Sequence, residues 1–259
     1  MLFVLVLLAF VIILAAAVIH AQTGERPLPI VWSASIIVLS ATILWRFWGI
    51  DADRWAQLIA RTNPVPETPL QPRRYLNMMV VTMAIGLVAT IIIYQNFFIG
   101  AGIYLVMQFC LIAAHSGILH LNPRRIAASP ALRSTSWRTT LFWLVLTPVV
   151  FIVFVYNGSQ SLIVAPYVLA LGLMAAVVYL GLAYRERPFL FRATAALGAT
   201  SFVFSDALIG YAVFVNPSTP LVIIISPTYV LAIMLLAQAT LAWPELWLRD
   251  ALEDTENQM

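Results

Sequence analysis

The sequence predicts an all-α, polytopic membrane protein, a bundle of eight transmembrane helices forming one domain over residues 1–259. Three observations predict it. Hydrophobic residues make up 62% of the chain and charged residues 10%, against roughly 25% charged in ordinary soluble domains; a soluble core could not absorb that much apolar surface. The apolar residues fall into runs of the length a helix needs to cross the hydrocarbon core, roughly 17–25 residues, and runs this continuous are not barrel strands. The basic residues, finally, alternate between abundant and scarce from one inter-run segment to the next.

The runs cover about 2–19, 28–45, 76–94, 97–119, 140–156, 162–182, 193–215 and 220–243. The first could be a signal peptide, since Ile19-His20-Ala21-Gln22 loosely resembles a cleavage site. Met1-Leu2-Phe3 supplies no positive n-region, however, and the apolar core is longer than a typical h-region, so an uncleaved span is expected. After the second run comes the longest polar segment, 46–75. Pro64, Pro66, Pro69 and Pro72 argue against a helix there, although its start, 51–61, could form a short interfacial helix. The third and fourth runs are joined by the tight Tyr94-Gln95-Asn96, the fifth and sixth by Asn157-Gly158-Ser159-Gln160-Ser161, and the last two by Asn216-Pro217-Ser218-Thr219. These are turn residues suited to adjacent antiparallel helices. Pro227 interrupts the last run, and Glu253-Asp254-Thr255-Glu256 reads as a short, solvated, acidic C-terminal tail.

All 14 basic residues are arginine. With eight spans, 13 of them fall on the side that also holds the 46–75 segment, and Arg26 stands alone on the other. Basic residues stay in the cytoplasm, so the count predicts a cytoplasmic 46–75 loop and cytoplasmic N- and C-termini, in a plasma or inner membrane. The same reading makes arginine topological and gives no reason to expect nucleic acid as a partner.

Asp206 is the one acidic residue in the middle of a long apolar run. A carboxyl group at that depth costs roughly 2.5–3.5 kcal/mol on insertion scales and is a functional-site hypothesis by default; the plainer reading is a structural Asp bonded to a neighbouring helix. Other polar residues within the runs include Asn77, Thr82, Thr90, Gln108 and His115, then Ser201 and Ser205, then Ser226, Thr228, Tyr229 and Gln238. Gln108 and His115 are seven apart and share a helix face, so a polar seam through the bundle is expected. For any one Ser, Thr or Gln, a hydrogen bond between helices is the simpler account. Gly198, with Ala195 and Ala199, fits close helix packing. Cys110 is alone and reads as a buried, unreactive thiol. His20, His115 and His120 are too scattered for a metal site. No phosphate loop, nucleophile elbow or HExxH motif occurs, and neither a metal nor an organic cofactor is implied.

The segment Gly198-Ala199-Thr200-Ser201-Phe202-Val203-Phe204-Ser205-Asp206 resembles the G-A-x-x-F-x-x-S-D signature of the YhhN-like lysoplasmalogenase family. Ala237-Gln238 resembles that family's A-Q pair, Arg26-Pro27-Leu28-Pro29 its K-P-L-P before the second span, and Pro166-Tyr167 through Met174 its sixth-span pattern. The resemblance covers most of the chain from about Arg26 to Ala242, and only the segment around Asp206 is fairly specific. It implies eight spans and hydrolysis of the vinyl ether bond of a lysoplasmalogen, giving a fatty aldehyde and a glycerophospho-alcohol. The family usually carries a second intramembrane Asp in a G-D pair, followed 21 residues later by a His. Aligning Gly100-Ala101-Gly102 with the family's glycine-rich stretch puts Leu87 and Gln108 at those two positions.

Vinyl ether cleavage needs a proton delivered to the alkenyl carbon and water to capture the resulting cation, much as glycoside hydrolysis divides work between two carboxyls. The resemblance makes Asp206 the catalytic acid. Ser205, Gln238 and Gln108 would orient it or contact the polar head of the substrate. His115 could take part in water capture, but lies about two turns beyond Gln108. Leu87 cannot activate water. Leu87, Asp206, Gln108 and Gln238 are expected to face one interior cavity, with a membrane lipid or lysolipid as the partner. Two other readings follow from the same residues. One is a non-catalytic lipid-binding protein that kept the bundle and lost the chemistry. The other is a transporter with Asp206 as a proton-coupling site, which discontinuous spans or an internal repeat would favour; no convincing repeat is present.

Overall fold

The computed structural model describes residues 72–93, 95–119, 121, 123–183, 189–216 and 224–237, together with positions 11, 15, 18, 35–40, 42 and 43. Among these there is no strand. Seven helices follow in order: α1 Pro72–Ile93, α2 Phe97–Leu119, α3 Pro123–Ala128, α4 Pro130–Val150, α5 Ala165–Leu180, α6 Phe189–Gly210 and α7 Ile224–Ala237. Four stretches are long and apolar enough to cross a membrane: Phe97–Gly117, Leu132–Val155, Ser159–Ala183 and Phe191–Val215. Asn77–Ile93 and Ile224–Ala237 are shorter apolar helices. The first two predicted runs contribute the helical positions 11, 15 and 18, and 35–40, 42 and 43. The fold is thus an all-α membrane bundle. The 51–61 segment and the C-terminal tail lie outside the described residues.

Three helices begin earlier than their apolar runs, α1 and α6 by four residues and α4 by ten. Proline at 72 reads as a breaker in sequence, but it opens α1, because proline's missing N–H is costless in the first turn of a helix. The arginine-bearing segment before the fifth run reads as a loop, yet it forms α3 and the first turns of α4. Ser129 caps α4 by accepting from the Leu132 N–H at 3.4 Å, and Pro130 occupies its start. That cap and proline pair launches a helix well before the sequence turns apolar, so Arg133 and Arg138 ride on α4 rather than on a loop.

α1 and α2 form an antiparallel hairpin, and α5 packs against α2, α4 and α6. Its position explains its burial: 61% of the apolar 18-residue stretch within Ser159–Ala183 is buried, against 17% of the corresponding stretch within Leu132–Val155. α5 is therefore the central helix, and α4 lies at the rim with most of its apolar surface turned outward. They meet where Gly172 faces Thr147; a Cβ at 172 would stand 2.0 Å from the Thr147 hydroxyl, so only glycine permits this approach. The core between the helices is filled by Met79, Met107, Leu111, Met174, Phe191 and Phe202, all under 2% exposed.

α4 and α6 end alike. Each runs into a π-helical turn, Phe151–Val155 and Tyr211–Val215. The closing bonds, Tyr156 N–H to the Phe151 carbonyl at 2.8 Å and Asn216 N–H to the Tyr211 carbonyl at 2.9 Å, span five residues. Such wide turns are rare and concentrate at functional sites. The two touch each other, and the Asn157 side-chain amide donates to the Phe214 carbonyl across them. Gly210 allows the contact, since a Cβ there would be 2.6 Å from Val155 Cγ2.

Candidate functional site

Below these paired turns lies a cavity of about 40 Å³. Every helix around it contributes from the end that faces the short turns: α1 through Ile93, α2 through Phe97 and Tyr104, α5 through Tyr167, and α6 through Asp206 and Gly210. The remaining wall is aliphatic or aromatic, so among the described residues Asp206, Tyr104 and Tyr167 are its only polar side chains. Asp206 lies ten residues before Asn216, about 15 Å along a helix rising 1.5 Å per residue, or half of a hydrocarbon core roughly 30 Å thick.

Asp206 is half-buried. The Tyr167 hydroxyl donates to its Oδ2 across the α5–α6 contact; its other oxygen makes no hydrogen bond among the described residues. Beside it stands a group of hydroxyls. A threonine has one proton to give, and Thr90 gives it to the Gly86 carbonyl at 2.7 Å. The Tyr104 and Tyr229 hydroxyls lie 2.7 and 2.9 Å from Thr90 Oγ1, within hydrogen-bond distance of it. Their rings pack edge to face with each other and with Phe202. The result ties α1, α2, α6 and α7 together at the depth of Asp206.

The residues singled out in the sequence take different places. Gln108 is fully buried beside the Tyr167 hydroxyl, behind the cavity wall, and neither amide atom makes a hydrogen bond of normal geometry. Ser205 is buried against α7 and donates to the Ile225 carbonyl at 3.3 Å, so it points away from the cavity. His115 is buried toward the other end of α2. Its Nδ1 lies 3.0 Å from the Leu111 carbonyl, its ring meets Tyr75 edge to face at 5.7 Å, and its Nε2 has no hydrogen-bond partner among the described residues. Leu87 is half-buried and does not line the cavity. The face of α1 turned inward is that of Gly86, which approaches Met107 and the Tyr229 hydroxyl, and the next residue points about 100° away round the helix. Gln238 lies outside the described residues.

Tyr167 and Tyr104 are what the sequence reading missed as site residues. Depth would have found them. Tyr104 is eight residues past Asn96 and Tyr167 six past Ser161, so both fall near the level of Asp206 when counted from the short turns. Among the described residues no three His, Cys, Asp or Glu side chains converge as metal ligands would.

The YhhN family profile matches residues 64–240, which includes α1 through α7 and every residue of the cavity wall. No curated protein and no solved structure matches the chain. With more than half of its length covered by that profile, this chain belongs to the YhhN family.

Proposed function

We propose that this protein is a membrane hydrolase that cleaves the vinyl ether bond of a lysoplasmalogen or a related lysolipid. The observation that carries the reading is the setting of Asp206, a lone carboxyl at mid-membrane depth on the wall of an apolar cavity, steadied by Tyr167. A carboxylic acid there can pass its proton to the alkenyl carbon, and the apolar wall suits the hydrocarbon chain. Family membership supports the same activity through the resemblance around Asp206. The test is aldehyde release from lysoplasmalogen by the purified protein in detergent. A folded protein that releases none at any substrate concentration would overturn the reading.

A second reading has one observation in its favour. Leu87 stands where the family usually carries its other carboxylate, which fits a bundle that binds lipid without turning it over. Saturable lysolipid binding with no aldehyde release would select it. The substrate would reach the cavity from the membrane. The arginine distribution supports cytoplasmic termini, with the short turns on the opposite face. Reporter fusions after Met259 and within the 157–161 turn should then give opposite signals, and same-side signals would overturn that orientation.

A further inference from the structure

We propose that Asp206 alone carries out the two proton transfers that form the hemiacetal, with Tyr167 as the positioning residue that reserves one carboxyl oxygen for the chemistry. The proposal rests on the vinyl ether hydrolase reading and adds to it how one carboxyl replaces two.

Three features of the cavity lead there. Among the described residues no second acid and no base lines it, and position 87, where another carboxyl would be expected, carries a leucine that points elsewhere. Tyr167 spends its one proton on Oδ2, which leaves Oδ1 as the oxygen without a partner among the described residues. Tyr104, its hydroxyl 2.7 Å from Thr90 Oγ1, brings a phenol oxygen able to accept to the same wall. A water donating one hydrogen to Oδ1 and the other to the Tyr104 oxygen would have its lone pair free for attack. The space suits this, since a water needs about 10–15 Å³ of cavity and about 40 Å³ is present.

The steps balance. First, the Oδ1–H bond breaks and a C–H bond forms at the alkenyl carbon remote from the ether oxygen. Positive charge then rests on the other alkenyl carbon and the ether oxygen, and Asp206 is a carboxylate. Second, the water oxygen bonds to that cationic carbon while one water proton passes to Oδ1, giving a neutral hemiacetal and restoring the carboxylic acid. Third, the hemiacetal proton moves to the ether oxygen, the C–O bond breaks, and aldehyde and alcohol leave. No proton is gained or lost, and no redox partner is required. One residue acting first as acid and then as base is the same alternation that retaining glycosidases use for their acid/base carboxyl. Gln108 abuts the Tyr167 hydroxyl from behind the wall and keeps the phenol in register.

The experiment is a kinetic comparison of the full-length protein and Tyr167→Phe in detergent, with lysoplasmalogen as substrate. We expect kcat to fall roughly 10- to 100-fold, the worth of one hydrogen bond to a charged group, with KM unchanged within about twofold and a displaced pH–rate profile. A purely structural tyrosine would leave that profile in place. Tyr167→Phe with wild-type kcat and an unmoved profile overturns the inference while leaving the hydrolase reading intact. Absence of aldehyde from the wild-type protein overturns both. A measurement independent of Tyr167 uses Asp206→Ala supplemented with formate. If one carboxyl does both transfers, a single added acid restores turnover in proportion to its concentration; no restoration in a monodisperse protein counts against the proposal.

Discussion

Toward the short turns, Asp206, Tyr167, Tyr104, Thr90 and Tyr229 gather beside a cavity, and the carboxyl keeps an oxygen without a partner among the described residues. Toward the other end of the same helices, His115 is packed against Tyr75, which in turn meets Phe191, and it takes no part in that cavity. Both centres hold an ionisable side chain inside an apolar bundle, and by composition both qualify equally as functional sites. Access separates them. A proton donor is useful only where a substrate and a water can reach it, and only the Asp206 centre combines a cavity with an oriented donor and a free acceptor. His115 is held by its own helix's carbonyl and by ring packing, outside that cavity.

The contrast can be broken or sharpened by substitution. The largest effect should come from Asp206→Asn, which keeps the shape and removes the proton; losing a positioned acid costs roughly 10²–10⁴-fold in turnover, while thermal stability in detergent should hold. Next comes the α4–α5 contact that supports the cavity wall. Gly172→Ala forces a methyl into Thr147 and should cost about 1–3 kcal/mol of stability, as overpacking does. Gly102→Ala, with nothing within 4 Å, should instead stabilise by about 0.5–1 kcal/mol, the usual helical preference for alanine over glycine. If the two alanine variants melt alike, the close approach is wrong. His115→Leu should be near neutral or slightly stabilising in a melting experiment, because it removes a buried nitrogen that has no hydrogen-bond partner among the described residues and fills similar volume. A loss of several kcal/mol would mean that Nε2 serves a structural bond. The smallest effect is expected for Ser205→Ala, which removes one bond between α6 and α7 worth about 0.6 kcal/mol on average.

Much of the fold was legible because lipid imposes a simple rule: a span must be long, apolar and helical. The run at 97–119 coincides with α2, and the run ending at residue 215 coincides with the end of the second π-turn. The errors came where polar sequence continues a helix beyond the membrane core. Hydropathy stops at the start of an apolar run, but Ser129 and Pro130 started α4 ten residues sooner. The π-turns were not legible, since nothing in Phe151–Val155 or Tyr211–Val215 distinguishes five-residue closure from ordinary helix. For the site, Asp206 stood out as a lone charge, and Gln108 as an amide of a kind that seldom faces lipid. Tyr167 did not, because tyrosine is at home both in cores and at membrane interfaces, and its partner is 39 residues away. Leu87 shows the converse difficulty. Alignment to a family position suggested an inward side chain, and the one-residue step from Gly86 turned it aside.

The measurement that bears most directly on the difference between the two centres is aldehyde release from one lysoplasmalogen in detergent by wild type, Asp206→Asn and His115→Leu side by side, each checked for monodispersity. The account predicts activity in the wild type, a loss of at least about 100-fold in Asp206→Asn, and a rate within about twofold of wild type in His115→Leu, as expected for a side chain outside the cavity. Asp206→Asn turning over at the wild-type rate, or folded His115→Leu losing activity as fully as Asp206→Asn does, would contradict it.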